Sequence, residues 1–423
     1  MTWYILHQLV GDYMIYSRNI QPKLIKALSR SPVTLLTGAR QTGKTTLIKS
    51  LGKERGYSYI TFDDIRFLSA AKNDPIGFIN GLVKPVILDE VQRVPEIFLA
   101  IKQHVDENRQ PGLFALTGSA NPLLLPQLGD SLAGRMEILE LFPLSQGELQ
   151  GITDTFVEWA FKEQTQLVPE KLSKDTLYHK IITGGYPLVQ DLDADSKDAW
   201  FNSYTTALLQ RDVQDLAHIS GLSEFPHLLQ LLATRTATLL NTAELARTSG
   251  LATTTLHRYL TLLKTLFLVD FQRPWSSHLG KRLVKSPKTY FVDTGLVSFL
   301  LSLDSDKALS NPQLMGPVLE NFVQAEIIKQ VSWSSVRIKP YHFRTQNGIE
   351  VDIVLENGSG QLVGIEIKNS ETVTPKDFKG LTHLQETTQD KFVKGIVLYA
   401  GSEIIPFGAQ LYAMPISSLW AAQ

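Results

Sequence analysis

The chain has no cysteine among its 423 residues. That absence excludes disulfides and thiolate metal sites, and it suits a reducing cytoplasm, the expected location. An excess of charge of one sign is lacking too: 41 Lys and Arg stand against 42 Asp and Glu, a formal net charge of −1. No global basic field announces a nucleic acid, so any such surface must be local. No apolar run reaches the roughly 20 residues that cross a bilayer, so no membrane partner is expected. The N-terminus, Met1-Thr2-Trp3-Tyr4-Ile5, lacks the basic stretch and clean apolar core of a signal peptide. The pattern of a folded domain starts near Met14, and residues 1–13 are expected to be a loose extension or to lie outside the native chain. There is no internal repeat, and the nine histidines show no ligand spacing, so no His-based metal site is expected. The length suits two to four domains.

The most informative feature present is Gly38-Ala39-Arg40-Gln41-Thr42-Gly43-Lys44-Thr45, a complete G-x-x-x-x-G-K-[ST] phosphate loop, followed by Thr46. The apolar run Val33-Thr34-Leu35-Leu36 precedes it and a helix-like run, Thr45 to Leu51, follows, the strand–loop–helix setting the motif needs. Glycines let backbone N–H groups turn toward phosphate oxygens, and the helix N-terminus adds partial positive charge. In this chemistry Lys44 reaches the β- and γ-phosphates of ATP and Thr45 holds Mg²⁺. Val86-Ile87-Leu88-Asp89-Glu90 reads as a buried parallel strand with two carboxylates at its C-terminal tip. Asp89 is expected in the Mg²⁺ shell, and Glu90 is expected to polarise the attacking water. A third strand, Leu113 to Thr117, ends in Gly118-Ser119-Ala120-Asn121, where Ser119 or Asn121 could sense the γ-phosphate. Arg135 follows as an arginine finger for a neighbouring subunit, a sensor within its own chain, or a plain surface arginine; the first would mean self-association.

These motifs, from Thr37 to Thr46 and at Leu88-Asp89-Glu90-Val91-Gln92, Thr117-Gly118-Ser119-Ala120-Asn121 and Ala133-Gly134-Arg135, resemble prokaryotic AAA+ ATPases that carry a C-terminal domain of unknown function. Phe142-Pro143-Leu144-Ser145, Gly184-Gly185-Tyr186-Pro187 and Arg211-Asp212-Val213 fit the same family. The resemblance runs from about Met14 to the end and implies a nucleotide-binding core over 14–144 and a helical lid over 145–235.

Residues 236–302 are expected to form a winged helix-turn-helix. Asn241 caps a first helix, Ser249-Gly250 turns, and a second helix from Ala252 to Leu266 puts Leu256, Leu260 and Leu263 inward. Thr253, Thr254, Thr255, His257 and Arg258 lie near its exposed start, where they can meet phosphates or base edges of DNA. Lys281, Arg282, Lys285 and Lys288 populate the wing between two strands. The alternative is a winged helix that only joins domains or binds protein.

Leu303 to Pro317 reads as a linker, followed by a helix from Val318 to Val331 with Glu320 and Glu326. Strands at Gly348 to Leu355 and Leu362 to Lys368 then carry Asp352 and Glu366-Ile367-Lys368, with alternate side chains sharing a face. Asp followed by Glu-x-Lys on adjacent strands resembles the PD-(D/E)xK nuclease superfamily, though Val351 stands where the named pattern has proline. The resemblance implies an α/β nuclease-like domain over 317–423, with Glu320, Asp352 and Glu366 fixing Mg²⁺ and Lys368 orienting the water. The fold expected for the whole chain is therefore α/β: a P-loop AAA+ domain with helical lid, a winged helix, and a C-terminal nuclease-like domain. Expected function is an ATPase whose nucleotide state drives these modules on DNA. The alternative is an ATP-controlled binding switch with an inactive nuclease-like domain. A third idea, a protein-remodelling machine, lacks its cue, since no aromatic pore loop is evident.

Overall fold

The computed structural model describes residues 13–120, 132–162, 167–208, 224–278, 280, 282 and 285–421, together with residues 8–10, and gives the backbone alone at 8–10 and 13–15. Two compact units emerge. One comprises Arg18–Pro143 with Leu260–Leu268; the other comprises Met1–Ser17, Leu144–Tyr259 and Val269–Gln423. Among the described residues no helix is long and apolar enough to cross a membrane.

The first unit is built on five parallel strands in the order Ser58–Thr61, Val86–Asp89, Phe114–Gly118, Val33–Thr37, Met136–Glu140. The sequence explains the order of burial. Val33–Thr37, Val86–Asp89 and Phe114–Gly118 are apolar on both faces and buried throughout, as strands covered on both sides must be. Ser58–Thr61 and Met136–Glu140 carry more polar residues, are only partly buried, and form the two edges. Val33, Leu35, Val86, Leu88, Phe114 and Leu116 share a core with Phe98, Ile101 and Val105 of helix Ile97–Glu107. Phe114–Gly118 thus separates the phosphate-loop strand from the strand bearing Asp89, and the C-terminal tips of all three lie at one end of the sheet.

Helix Thr242–Ser249 lies in the second unit and helix Thr253–Thr265 begins there, its residues from Leu260 counting with the first; in the turn between them Gly250 adopts a φ of 72°. Strands Val269–Gln272 and Lys288–Phe291 then pair antiparallel. Asn241 caps the first helix by accepting from the Glu244 N–H at 3.1 Å. The linker expected at 303–317 is instead helical: Ser305–Ser310 is one helix, and Pro312–Trp333 is a second, 22 residues long. Asn311 supplies its cap and Pro312 sits in the first turn, where a missing N–H costs nothing. Pro317 lies only one turn further in, so the helix forgoes a single early hydrogen bond there.

A six-stranded mixed sheet follows, in the order Ile338–Arg344, Glu350–Asn357, Leu362–Lys368, Phe392–Tyr399, Leu411–Pro415, Ile405–Pro406. The first three strands are antiparallel, and Leu362–Lys368, Phe392–Tyr399 and Leu411–Pro415 are parallel. The parallel step needs a crossover, which Lys379–Thr388 supplies. Leu381 and Leu384 of that helix pack with Val351, Val354 and Val397 of the sheet. The long helix also packs against the sheet and carries buried Asn321, Glu326, Lys329 and Gln330. Its buried polar groups are partnered. Asn321 accepts from Thr236 Oγ1 at 2.5 Å and from the Phe291 N–H at 2.7 Å, and Lys329 donates to Glu326 at 2.7 Å.

Candidate functional site

The phosphate loop leaves the buried end of Val33–Thr37 and enters helix Lys44–Glu54. Close packing at Gly38 and a positive φ at both Gly38 and Gly43 keep side chains out of those two positions of the loop. Gly38 has a φ of 139°, and a β-carbon there would lie 2.2 Å from the Leu141 carbonyl oxygen. Gly43 caps the helix in the left-handed region, at a φ of 92°. Arg18, unforeseen in the sequence, braces the loop from beneath: its guanidinium donates to the carbonyls of Thr42 and Phe142, both at 2.6 Å. Ala39 and Thr42 are buried, Gln41 and Thr46 are exposed, and Arg40 lies between. Lys44 is buried and donates its Nζ to the carbonyls of Gly38 at 2.9 Å and Ala39 at 2.7 Å.

Thr45 Oγ1 donates to Asp89, 3.1 Å from its Oδ2. Two further hydroxyls converge on that carboxylate. Tyr59 donates to Oδ2 at 2.6 Å from the neighbouring strand, and Thr117 donates to Oδ1 from the intervening one. The Asp89 charge and burial together push the Tyr59 phenol up, burial contributing most. A hydroxyl and a carboxylate this close form the hard-oxygen set that suits Mg²⁺ beside phosphate oxygens and water, so Thr45 and Asp89 fit that ion.

Glu90 is half-buried and lies in the left-handed region at a φ of 61°. Its carboxylate accepts from Gln92, whose amide also donates to Ser119 Oγ at 3.0 Å. Burial raises its carboxyl above the ordinary range, against the opposing pull of the Gln92 hydrogen bond and the Lys44 charge. The chain therefore brings Lys44, Thr45, Asp89, Glu90 and Ser119 to one end of the sheet. Asn121 lies outside the described residues. Arg135 is elsewhere. It precedes Met136, which pairs with Val33 at the opposite end of the strands, roughly 15 Å from the loop at the usual rise per residue. Its guanidinium pairs with Asp106 and donates to the Ala133 carbonyl. A sensor contact within the same chain is thereby set aside.

The second acid constellation assembles in the C-terminal sheet. Asp352 of Glu350–Asn357 accepts the Ile367 N–H at 3.0 Å through Oδ2, which joins it to the strand bearing Glu366 and Lys368. Lys368 donates to Glu366 at 3.0 Å, as alternate residues on one strand face can. Glu320 of the long helix accepts from Tyr290 at 2.6 Å and from Lys288 at 2.8 Å, and Lys288 also donates to Asp352 Oδ1 at 3.2 Å. Burial raises the carboxyls of Glu320 and Glu366, and the Asp352 charge adds to it. The ion implied for this site does not fit as expected: Lys288 bridges the two carboxylates, and among the described residues no group of three His, Cys, Asp or Glu is placed to hold a metal.

The basic wing is corrected in the same way. Lys288 is buried on the acids, and Arg282 turns inward to a two-pronged pair with Glu356 at 2.6 and 3.1 Å. Lys285 is exposed, and Lys281 lies outside the described residues, as does Arg211-Asp212-Val213. Thr253, Thr254, His257 and Arg258 are exposed at the start of helix Thr253–Thr265.

A family model described as an AAA domain matches residues 30–150, and two domains of unknown function, DUF8612 and DUF4143, match 174–307 and 315–419. The uncharacterized protein Rv2008c of Mycobacterium tuberculosis is 31% identical over 413 residues, covering 97% of this chain and 86% of its own length. The uncharacterized protein MJ1544 of Methanocaldococcus jannaschii is 21% identical over 379 residues, covering 86% and 80%. The Walker-type ATPase PABY2304 of Pyrococcus abyssi overlaps 68% of this chain and 96% of that one, at 15% identity and a TM-score of 0.44. The chain belongs to the prokaryotic AAA+ superfamily of P-loop ATPases, in the family that includes Rv2008c.

Proposed function

We propose that the chain hydrolyses ATP in a Mg²⁺-dependent manner and that its nucleotide state governs the helix-turn-helix and C-terminal α/β modules on DNA. The observation that carries the proposal is the convergence of Lys44, Thr45, Asp89 and Glu90 at the strand tips beside a braced phosphate loop. Lys44 exchanges its two loop carbonyls for the β- and γ-phosphates, and the loop N–H groups and helix N-terminus take up further phosphate oxygens. Thr45 and Asp89 would hold Mg²⁺, which would supply neutralisation of phosphate charge. Glu90, oriented by Gln92 and raised by burial, accepts a hydrogen bond from the attacking water and takes its proton. Ser119, tied to the same glutamine, shares the γ-phosphate end of the site.

For the partner, the supporting feature is the exposed start of helix Thr253–Thr265, where hydroxyls, an imidazole and a guanidinium can meet a phosphate backbone. For the C-terminal module two readings exist: Mg²⁺-dependent phosphodiester cleavage at Asp352, Glu366 and Lys368, or binding without cleavage. Lys288 on Glu320 and Asp352 favours the second. Labelled linear, circular and branched DNA, incubated with and without ATP and with Mg²⁺ or Mn²⁺, tests both. ATP-dependent retention of intact DNA is expected. Cleavage that Asp352→Ala abolishes would reverse the choice, and neither retention nor cleavage would remove DNA as the partner.

A further inference from the structure

The C-terminal acid constellation carries a cation of its own. Lys288 and Tyr290 are alternate residues of one strand, so their side chains share a face. Both reach Glu320 Oε1, the ammonium at 2.8 Å and the phenol at 2.6 Å. The same ammonium lies 3.2 Å from Asp352 Oδ1. Asp352 Oδ2 is already engaged with the Ile367 N–H, and Glu366 Oε1 with Lys368. The Lys288 side chain is only 5% exposed, against 15% for Glu320 and 9% for Asp352.

A buried cation is tolerated only among anions, and removing it leaves the carboxylates uncompensated. Mg²⁺ makes contacts of about 2.0–2.1 Å and demands a near-octahedral shell. An ammonium already between Glu320 and Asp352 occupies that place, and a divalent cation beside it would meet like charge at short range. Burial works against the Lys288 charge, yet Glu320 and Asp352 outweigh it and hold the ammonium firmly protonated.

We propose that Lys288 is the resident cation of this site, standing where the nuclease-like pattern calls for a divalent metal, so that the module folds metal-free and does not cleave phosphodiesters in this state. The inference rests on the nuclease-like reading of the C-terminal acids. Its readout, metal uptake without nucleotide or DNA, is separate from DNA retention, so either can fail alone.

The test is Mn²⁺ binding to the nucleotide-free full chain, followed by electron paramagnetic resonance, for wild type, Lys288→Ala, Asp352→Ala and the double variant Lys288→Ala/Asp352→Ala. The phosphate-loop site is common to all four. Lys288→Ala is expected to take up one equivalent of Mn²⁺ more than wild type, at least tenfold tighter, and the double variant is expected to lose it. The melting temperature of Lys288→Ala should fall in chelator and recover in Mn²⁺, while that of wild type is indifferent to metal. If Lys288→Ala fails to fold without metal, folding in Mn²⁺ supports the proposal, and Lys288→Gln then carries the same titration. A folded Lys288→Ala or Lys288→Gln that binds no more Mn²⁺ than wild type overturns it. So does a wild-type Mn²⁺ site that Asp352→Ala removes.

Discussion

Gly38 and Glu90 set the geometry of the nucleotide site at the smallest scale. A β-carbon on Gly38 would run into the Leu141 carbonyl, and the residue's φ of 139° is itself foreign to other amino acids. Gly38→Ala should therefore cost about 3 kcal/mol of stability, read as a lower denaturation midpoint, and should abolish nucleotide binding. Glu90 has a different role. Its carboxylate is oriented by Gln92 and touches none of the loop hydrogen bonds, so Glu90→Gln should leave ATP affinity intact. Turnover should drop roughly 10²–10⁴-fold, the usual weight of a general base, in a single-turnover assay run beside a nucleotide-binding titration. An equal loss of affinity would place Glu90 in the binding machinery instead. The loop and the two acids were legible in the sequence because their chemistry is local: glycines, lysine and threonine at fixed spacing, and carboxylates at the end of an apolar run. Arg18, Tyr59, Thr117 and Lys288 were not. Each acts on a partner at least 24 positions away, and only the order of strands or the packing of a helix brings them together.

Among the elements, the strands were the most readable and the linkers the least. Val33–Thr37, Leu362–Lys368 and the hairpin at 269–272 and 288–291 lie where apolar runs bounded by turn residues put them. The stretch at 303–317 misled, since Asn311-Pro312 opens a helix as readily as it ends one. The alternation in Glu350–Asn357 also concealed something. Asp352 was expected to share a strand face with Glu350, opposite Val351 and Ile353, but both faces are covered here and the carboxylate is buried with its neighbours. His342, on the edge strand Ile338–Arg344, is a consequence of the same burial. Its ring is 1% exposed with Nδ1 3.1 Å from the Gln272 carbonyl, and burial, helped by the Lys288 charge, lowers its pKa to about 4. A histidine held below its unfolded value of about 6.5 binds its proton less well when folded. Its contribution is present above pH 6.5 and is lost as pH falls toward 4, up to about 3 kcal/mol. Urea unfolding across that range should show the loss, and His342→Asn, which keeps a donor but does not titrate, should flatten it. An unchanged slope would assign the acid sensitivity to other groups.

At the scale of the whole molecule, the chain divides into a unit built on the parallel sheet and a larger one holding the long helix and the mixed sheet. Each has its own logic of charge. In the first, the hydroxyls of Thr45, Tyr59 and Thr117 meet Asp89, and an amide meets Glu90. In the second, three carboxylates are met by two ammonium groups from within the chain. Under the proposed function, turnover falls to the first unit and recognition to the second. The contrast in charge was not legible in the sequence, where both sets of acids read as complete. The measurement that tests this account most directly is Mg²⁺-dependent release of phosphate from ATP by the purified full chain, with Lys44→Ala beside it. Steady turnover by the wild type, abolished in Lys44→Ala and by chelation of Mg²⁺, is the predicted result. Absence of turnover in a folded wild-type protein, or turnover unchanged in Lys44→Ala, would contradict it.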